Sequence, residues 1–325
     1  MVQVRGSKQD SKHTTSNGNL RFKAPFGYYG SKLRLVSRIV DGLPPHNAWV
    51  EAFCGSAAVT FAKPPAPIEI INDLNDEIVN LFQQLRNNSD ALCRSVSLTP
   101  YSKTEFRDSR KSMEVSDPVE RARRFLVATM MTVNGTYNGN AGGFSVSQSY
   151  SRNGKEARVS RWYNLPERLE AVVERLKHVR IENRDARELV KKFSDRPATL
   201  MYLDPPYNVS RSFKYVIDPS DEGFHEELLE ACCESNCMIL ISGYDNPLYK
   251  SVLKRKYGWT KEKISATTRA TDGKDLSRVE VLWKNDAFIA AKRANRIPIN
   301  LSASERKGKK LNPPRKHRRT RFQNF

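Results

Sequence analysis

The sequence predicts an α/β protein, in which one mostly parallel sheet is split around a mainly helical insertion. Three observations carry that expectation. Short apolar runs bounded by Gly and Pro alternate with amphipathic segments toward both ends of the 325-residue chain, the rhythm of βαβ units. The rhythm stops near residue 91 and resumes near residue 176. Four of the predicted strands end on or next to a carboxylate (Glu51, Asp73, Asp185 and Asp204), at the sheet edge where doubly wound folds hold their ligands.

Residues 1–19 lack apolar periodicity and are expected to form a disordered tail. "NAWVEAF" (Asn47 to Phe53) and "IEIIND" (Ile68 to Asp73) read as buried strands. "DEIVNLFQQL" (Asp76 to Leu85) places apolar residues at 78, 79, 81, 82 and 85, the spacing of a helix. Within 91–175 the spacing predicts a helix over Asp117–Val133 and an amphipathic helix over Asn164–Val179. Between them lies the Gly-, Asn- and Ser-rich stretch Asn134–Lys155. Beyond it, "VRIENRDARELV", "ATLMYLDPPY", "GFHEELLEACCES" and "CMILISGY" restore the strand–helix alternation. "DLSRVEVLWKN" (Asp275 to Asn285) reads as a hairpin strand closing the sheet. The expected units are therefore a discontinuous domain of residues 20–90 and 176–290, an insertion of 91–175, and a basic disordered tail of 291–325.

The net charge is +19, and the stretch from Lys292 to Phe325 holds 12 Lys and Arg against one acid. The insertion is also basic, with 14 Lys and Arg against 9 acids. Such a distribution points first to a polyanionic partner, nucleic acid above all, and second to a solubilising tail. No run of about 18 apolar residues suggests a membrane span. The polar N-terminal segment has no apolar core of a signal peptide, so a cytoplasmic setting is expected. The cysteines (Cys54, Cys93, Cys232, Cys233, Cys237) form no paired C-x-x-C units and read as reduced thiols. Phe224-His225-Glu226-Glu227 lacks the second histidine of a zinc helix, and no metal is expected.

The most specific stretch is Asp204-Pro205-Pro206-Tyr207, set at the tip of an apolar strand. Two prolines fix φ and remove two amide donors, leaving a stiff spur with one carboxylate, outward carbonyls and a flat ring. That combination suits gripping a flat heterocycle by its amine. In "FGYYGSKLRL", glycines beside Tyr28 permit close approach of backbone to a ligand, and Lys32 supplies a charge. In "WVEAFCGSAAV", Glu51 and Phe53 precede the Gly55-Ser56 turn. Asp73 stands where a ribose acid would be held and Asp185 at a further strand end, and each stands equally where a helix would be N-capped. Neither G-x-G-x-x-G nor a Walker A pattern is present.

Together, F-x-Y-x-G-S-K, V-E-x-F-x-G-S, I-N-D-L-N and L-D-P-P-Y, in this order over residues 22–285, resemble the alpha-group, Dam-like DNA adenine methyltransferases of bacteria and phages. The resemblance implies a Rossmann-like sheet that binds S-adenosylmethionine, with 91–175 as target-recognition domain. It also implies a double-stranded, sequence-specific DNA substrate and a restriction-modification setting in a prokaryotic or phage-infected cell. By the same resemblance Tyr28, Lys32, Glu51, Phe53, Gly55, Ser56, Asp73, Asp185 and Asp204 fall at cofactor positions, and Asp204, Pro205, Pro206 and Tyr207 form the catalytic tetrapeptide. The family's P-F-x-G-S-G-A is altered here: Ala52 replaces the proline and Ala57 the second glycine. If that position needs positive φ, Ala57 costs about 1 kcal/mol.

Asp204 and the Pro205 carbonyl are expected to accept hydrogen bonds from the amine of a flipped-out adenine, on which Tyr207 stacks. Adenine is favoured over cytosine because cytosine-N4 enzymes usually carry serine in place of this aspartate. A catalytically inactive DNA-binding module, a cytosine-N4 enzyme and an RNA adenine methyltransferase are the alternatives. Candidate DNA contacts are Arg124, Asn138, Arg152, Lys155, Arg158 and Arg161, with Arg121 and Arg123 as a solvated face or further contacts.

Overall fold

The computed structural model of the protein describes residues 25–28, 32, 35–110, 115–133, 143–147, 154–206, 222–243, 245–269 and 275–298. Tyr207, Asn138, Arg152, the N-terminal tail 1–19 and residues 299–325 lie outside these described residues.

The chain runs α1 (Val36–Asp41), β1 (Ala48–Glu51), α2 (Ala58–Ala62), β2 (Ile68–Asn72) and α3 (Asp76–Asn87). Five helices follow: α4 (Ser89–Leu98), α5 (Lys103–Ser109), α6 (Pro118–Met130), α7 (Ala157–Tyr163) and α8 (Leu165–Leu176). The alternation returns with β3 (Val179–Glu182), α9 (Ala186–Phe193), β4 (Thr199–Leu203), α10 (Glu222–Cys233) and β5 (Met238–Gly243). A single turn α11 (Pro247–Tyr249) continues into a π-helix over Lys250–Lys256. The hairpin β6 (Thr260–Arg269) and β7 (Asp275–Lys284) and helix α12 (Asp286–Ala294) complete the order.

The seven strands lie in the order β3-β2-β1-β4-β5-β7-β6. The first five are parallel, and β7 enters antiparallel between β5 and β6. This is a Rossmann-like doubly wound sheet. Central strands β4 and β5 are buried along their whole length, as parallel strands covered on both faces must be.

Alternation assigns the faces. Val50, Ile70, Met201, Leu203, Ile239, Ile241 and Trp283 meet α9, α10 and the π-helix on one side. Trp49, Leu200, Tyr202, Leu240 and Leu282 meet α1, α2 and α12 on the other. At the β2 end of that second face, Ile71 joins Phe26 and Ile78, Phe82 and Leu85 of α3 in a third cluster.

That third cluster also contains Leu92 and Val96 of α4, Phe125 and Leu126 of α6, and Leu165 and Leu169 of α8. The helices of 91–175 thus share a core with α3, whose apolar residues serve the sheet and these helices together. Arg121 of α6 reaches Glu77 of α3 at 2.7 Å across the same junction. The boundary expected at residue 290 falls inside α12, which buries Phe288 and Ala291 and stops where Asn295 turns left-handed at φ 47°. Among the described residues no helix is long and apolar enough to cross a membrane.

Candidate active site

Strand order reverses between β1 and β4, so the crevice outside their carboxyl ends is the natural ligand position. An open cleft lies there. It brings together Tyr28, Lys32, Glu51, Phe53, Gly55, Ser56, Asp73, Asp185 and Asp204, every expected cofactor residue, with Pro206 and Phe224 at its wall.

The turn after β1 is built on backbone that side chains dislike. Gly55 has φ +49°, and a Cβ there would stand 3.1 Å from the ring of Tyr28, so the glycine is needed for both conformation and space. Ala57 is also left-handed, at φ 50° and ψ 36°, which makes the departure at this position a real strain.

Asp73 pins this turn. Its Oδ2 accepts the Gly55 N–H at 2.8 Å and its Oδ1 the Asn75 N–H at 3.0 Å. The N-cap of α3 is Asn75, whose side chain accepts from Glu77 N at 3.0 Å, so Asp73 is not the cap. Burial raises its carboxyl to about 6, against the pull of the Asn75 and Gly55 amides. Asp185 is the opposite case. It caps α9 through Arg187 N at 2.8 Å, and Arg187 holds its carboxyl below the ordinary range through the ion pair between them.

Glu51 ends β1 and accepts both the backbone N–H of Thr60, at 2.9 Å, and the Thr60 hydroxyl. Trp49 Nε1 donates to the same hydroxyl at 2.7 Å, so strand and helix are tied by one relay. Burial lifts Glu51 to about 8, opposed by the Thr60 bonds and helped by nearby Asp204.

Asp204 follows the last residue of β4. Lys32 Nζ lies 2.8 Å from its Oδ1 and 3.7 Å from Glu280 of β7, and Glu280 accepts the Ser242 hydroxyl at 3.0 Å. Pro206, two residues on, has its carbonyl 2.9 Å from His225 Nε2, while His225 Nδ1 lies 3.0 Å from the Tyr249 hydroxyl. Both ring nitrogens are therefore engaged by protein groups.

Sequence reasoning missed three supports: Asn72, Glu280 and His225. Asn72 donates to the carbonyls of Ala52 and Arg184, at 2.9 and 3.0 Å, and accepts Arg184 N at 2.9 Å. It thereby staples the turns that follow β1 and β3. An asparagine closing an apolar strand was the available signal.

The expected DNA contacts divide. Arg123 is bound to Glu120, Glu105 and Thr99, and Arg124 to Glu120 at 2.8 Å, so neither is a solvated cation. Arg121 is spent on Glu77. Lys155 lies over the ring of exposed Tyr163. Arg158 and Arg161 sit on α7, and Arg161 packs where a side chain at Gly27 would collide with it. Burial and the neighbouring Arg158 hold Arg161 below its usual pKa; burial and Arg161 lower Arg168 to about 10.

Residues 28–267 match the family model described as D12 class N6 adenine-specific DNA methyltransferase. The Type II methyltransferase M1.LlaDCHI of Lactococcus lactis subsp. cremoris is 26% identical over 270 residues, covering 78% of this chain and 90% of that protein. Among solved structures, the precorrin-6y C5,15-methyltransferase of Geobacter metallireducens superposes with a TM-score of 0.37 and 11% identity, over 80% of this chain and 93% of that one.

Proposed function

The chain belongs to the D12 class N6 adenine-specific DNA methyltransferase family, and from that premise we propose how this cleft methylates adenine in DNA. The methyl donor is S-adenosylmethionine, and the target is an adenine flipped out of a specific double-stranded sequence. The single observation that carries this reading is the Lys32–Asp204 pair inside a cleft that Gly55 and Asp73 also line.

The residues fit such a donor. Asp73 keeps lone pairs beyond its two N–H bonds for ribose hydroxyls. Gly55 leaves space for close approach, and Tyr28 and Phe53 offer flat apolar walls. Glu51 places a titratable carboxyl where a cationic ligand would sit, and Asp185 closes the far edge. When bound, S-adenosylmethionine supplies an electrophilic methyl group.

The remaining chemistry falls to the chain. The exocyclic amine of adenine is a poor nucleophile because its lone pair is delocalised into the ring. Asp204 and the Pro205 carbonyl accept hydrogen bonds from its two N–H groups and draw the nitrogen toward tetrahedral geometry; once the methyl group is on nitrogen, one of the two protons leaves. Lys32 holds one oxygen of Asp204, which fixes the carboxylate in place. Developing positive charge on the amine is stabilised by that carboxylate, and positioning supplies much of the rest. Tyr207, by its place in the tetrapeptide, stacks on the flipped base.

Arg158 and Arg161, with Arg168 behind them, are the phosphate-binding group of this account, joined by Lys155, Arg152 and Asn138. Arg124, held by Glu120, is a weaker candidate. The name of the Lactococcus relative suggests a restriction-modification role. Transfer of labelled methyl groups to duplexes carrying single adenine replacements tests the proposal. Loss of label at one replaced adenine supports it, and label on DNA without adenine contradicts it.

A further inference from the structure

His225 and Tyr249 lie outside every role given so far, yet they hold the loop that carries Asp204. We propose that His225 is a positioning residue: its Nε2–H fixes the Pro206 carbonyl, and the Tyr249 hydroxyl fixes the tautomer that makes this possible. The inference rests on the reading of Asp204–Pro206 as the methyl-transfer loop.

A carbonyl can only accept, so the 2.9 Å contact requires the proton on Nε2. His225 is fully buried, and a neutral ring then presents Nδ1 as acceptor. Tyr249 supplies that donor at 3.0 Å. Burial raises the Tyr249 phenol well above its ordinary range, so the hydroxyl keeps its proton. The tyrosine is itself fixed. It ends α11 where the chain enters the π-helix, its ring meets Trp283 at 6.4 Å, and Gly243 passes so close that a Cβ would lie 3.4 Å from it.

The consequence for the loop follows from its two prolines. Pro205 and Pro206 have no N–H, so no backbone donor of their own can anchor this turn. His225 ties the second carbonyl into the core. Asp204 and Pro206 both line the cleft, so the tie at Pro206 also sets the position of the Asp204 carboxylate two residues before it. Without the tie the Pro206 carbonyl can turn away, and the spur loses a fixed point on the α10 side.

The test uses the full-length protein with duplex DNA and S-adenosylmethionine. His225→Leu removes the donor at similar volume; His225→Gln restores an N–H at the reach of Nε2; Tyr249→Phe removes only the hydroxyl. A misplacement of about 1 Å costs on the order of 100-fold, so His225→Leu is expected to lower kcat roughly 30- to 100-fold. S-adenosylmethionine affinity by calorimetry should stay within about threefold, because the donor-side residues are untouched. His225→Gln should recover most of the loss, and Tyr249→Phe should fall between. In ¹⁵N-histidine spectra at neutral pH the wild type should show a neutral ring protonated at Nε2. Wild-type kcat in His225→Leu, equal losses in the Leu and Gln variants, or a ring protonated at Nδ1 would each overturn the inference. If His225→Leu does not fold, the Gln and Phe variants and the spectrum still decide it. Retained activity in Asp204→Ala would instead overturn the underlying reading of the loop, so the two failures are distinguishable.

Discussion

The ammonium of Lys32 and the carboxylate of Asp204 meet at 2.8 Å, joining the segment before α1 to the tip of β4 inside the cleft. The pair is mostly buried, and Glu280 stands behind the lysine at 3.7 Å. Removing one partner of such a pair leaves an uncompensated charge and is more damaging than the pair's net worth. Lys32→Met should therefore lower kcat by roughly 10- to 100-fold through misplacement of Asp204. Lys32→Arg should not restore it, because a planar fork cannot replace a point charge in this space. Steady-state kinetics with saturating DNA and donor check both.

Asp73 joins the turn after β1 to the start of α3, and its substitution should separate binding from chemistry. Asp73→Ala leaves the Gly55 amide without its acceptor, at a cost of about 1–3 kcal/mol in stability. Donor affinity should fall at least about tenfold (about 1.4 kcal/mol), whereas kcat at saturating donor should change little. Calorimetric titration beside thermal unfolding measures the two losses.

Glu51 and Asp73 ionise later in the folded chain than their ordinary 4.5 and 3.8, at about 8 and about 6. The fold therefore holds extra protons over that range. Their contribution to stability is complete below about pH 4 and is lost as pH rises through 6 and then 8. Glu51→Gln should flatten the fall between pH 5 and 8 and exceed the wild type at pH 8, by on the order of 2 kcal/mol. A cationic donor favours the ionised carboxylate, so binding near pH 7.5 should release protons. Titration in two buffers of different ionisation enthalpy detects that release, and Glu51→Gln should diminish it.

The arginines make opposite predictions. Arg161→Ala should weaken DNA binding and reduce the slope of log K against log salt by about 0.9, as loss of one phosphate contact does. Arg121→Ala should leave the slope unchanged but destabilise the protein by about 3–5 kcal/mol, because Glu77 is left buried and unpaired. Binding measured from low to moderate salt, with unfolding alongside, separates them.

The parallel strands were legible because both faces are covered and their apolar runs are nearly continuous, as in β4 and β5. Strand β6 was not, since "TKEKISATTR" at the sheet edge carries no apolar run. The acids at strand ends were visible as a set. Their individual roles were not, because capping depends on one residue of register: Asn75 caps α3, freeing Asp73, while Asp185 caps its own helix. Arg121 and Arg123 looked like a charged face because their partners Glu77 and Glu105 are remote in sequence. His225 resembled half a zinc motif for the same reason, its true partners being Pro206 and Tyr249.

The central claim is that Asp204 acts on the amine of adenine in DNA. Nucleoside mass spectrometry of DNA incubated with S-adenosylmethionine and either wild type or Asp204→Ala tests it most directly. N6-methyladenine from the wild type alone is the predicted result. Equal methyladenine from both proteins would contradict the role of Asp204, and methylcytosine from the wild type would contradict the target.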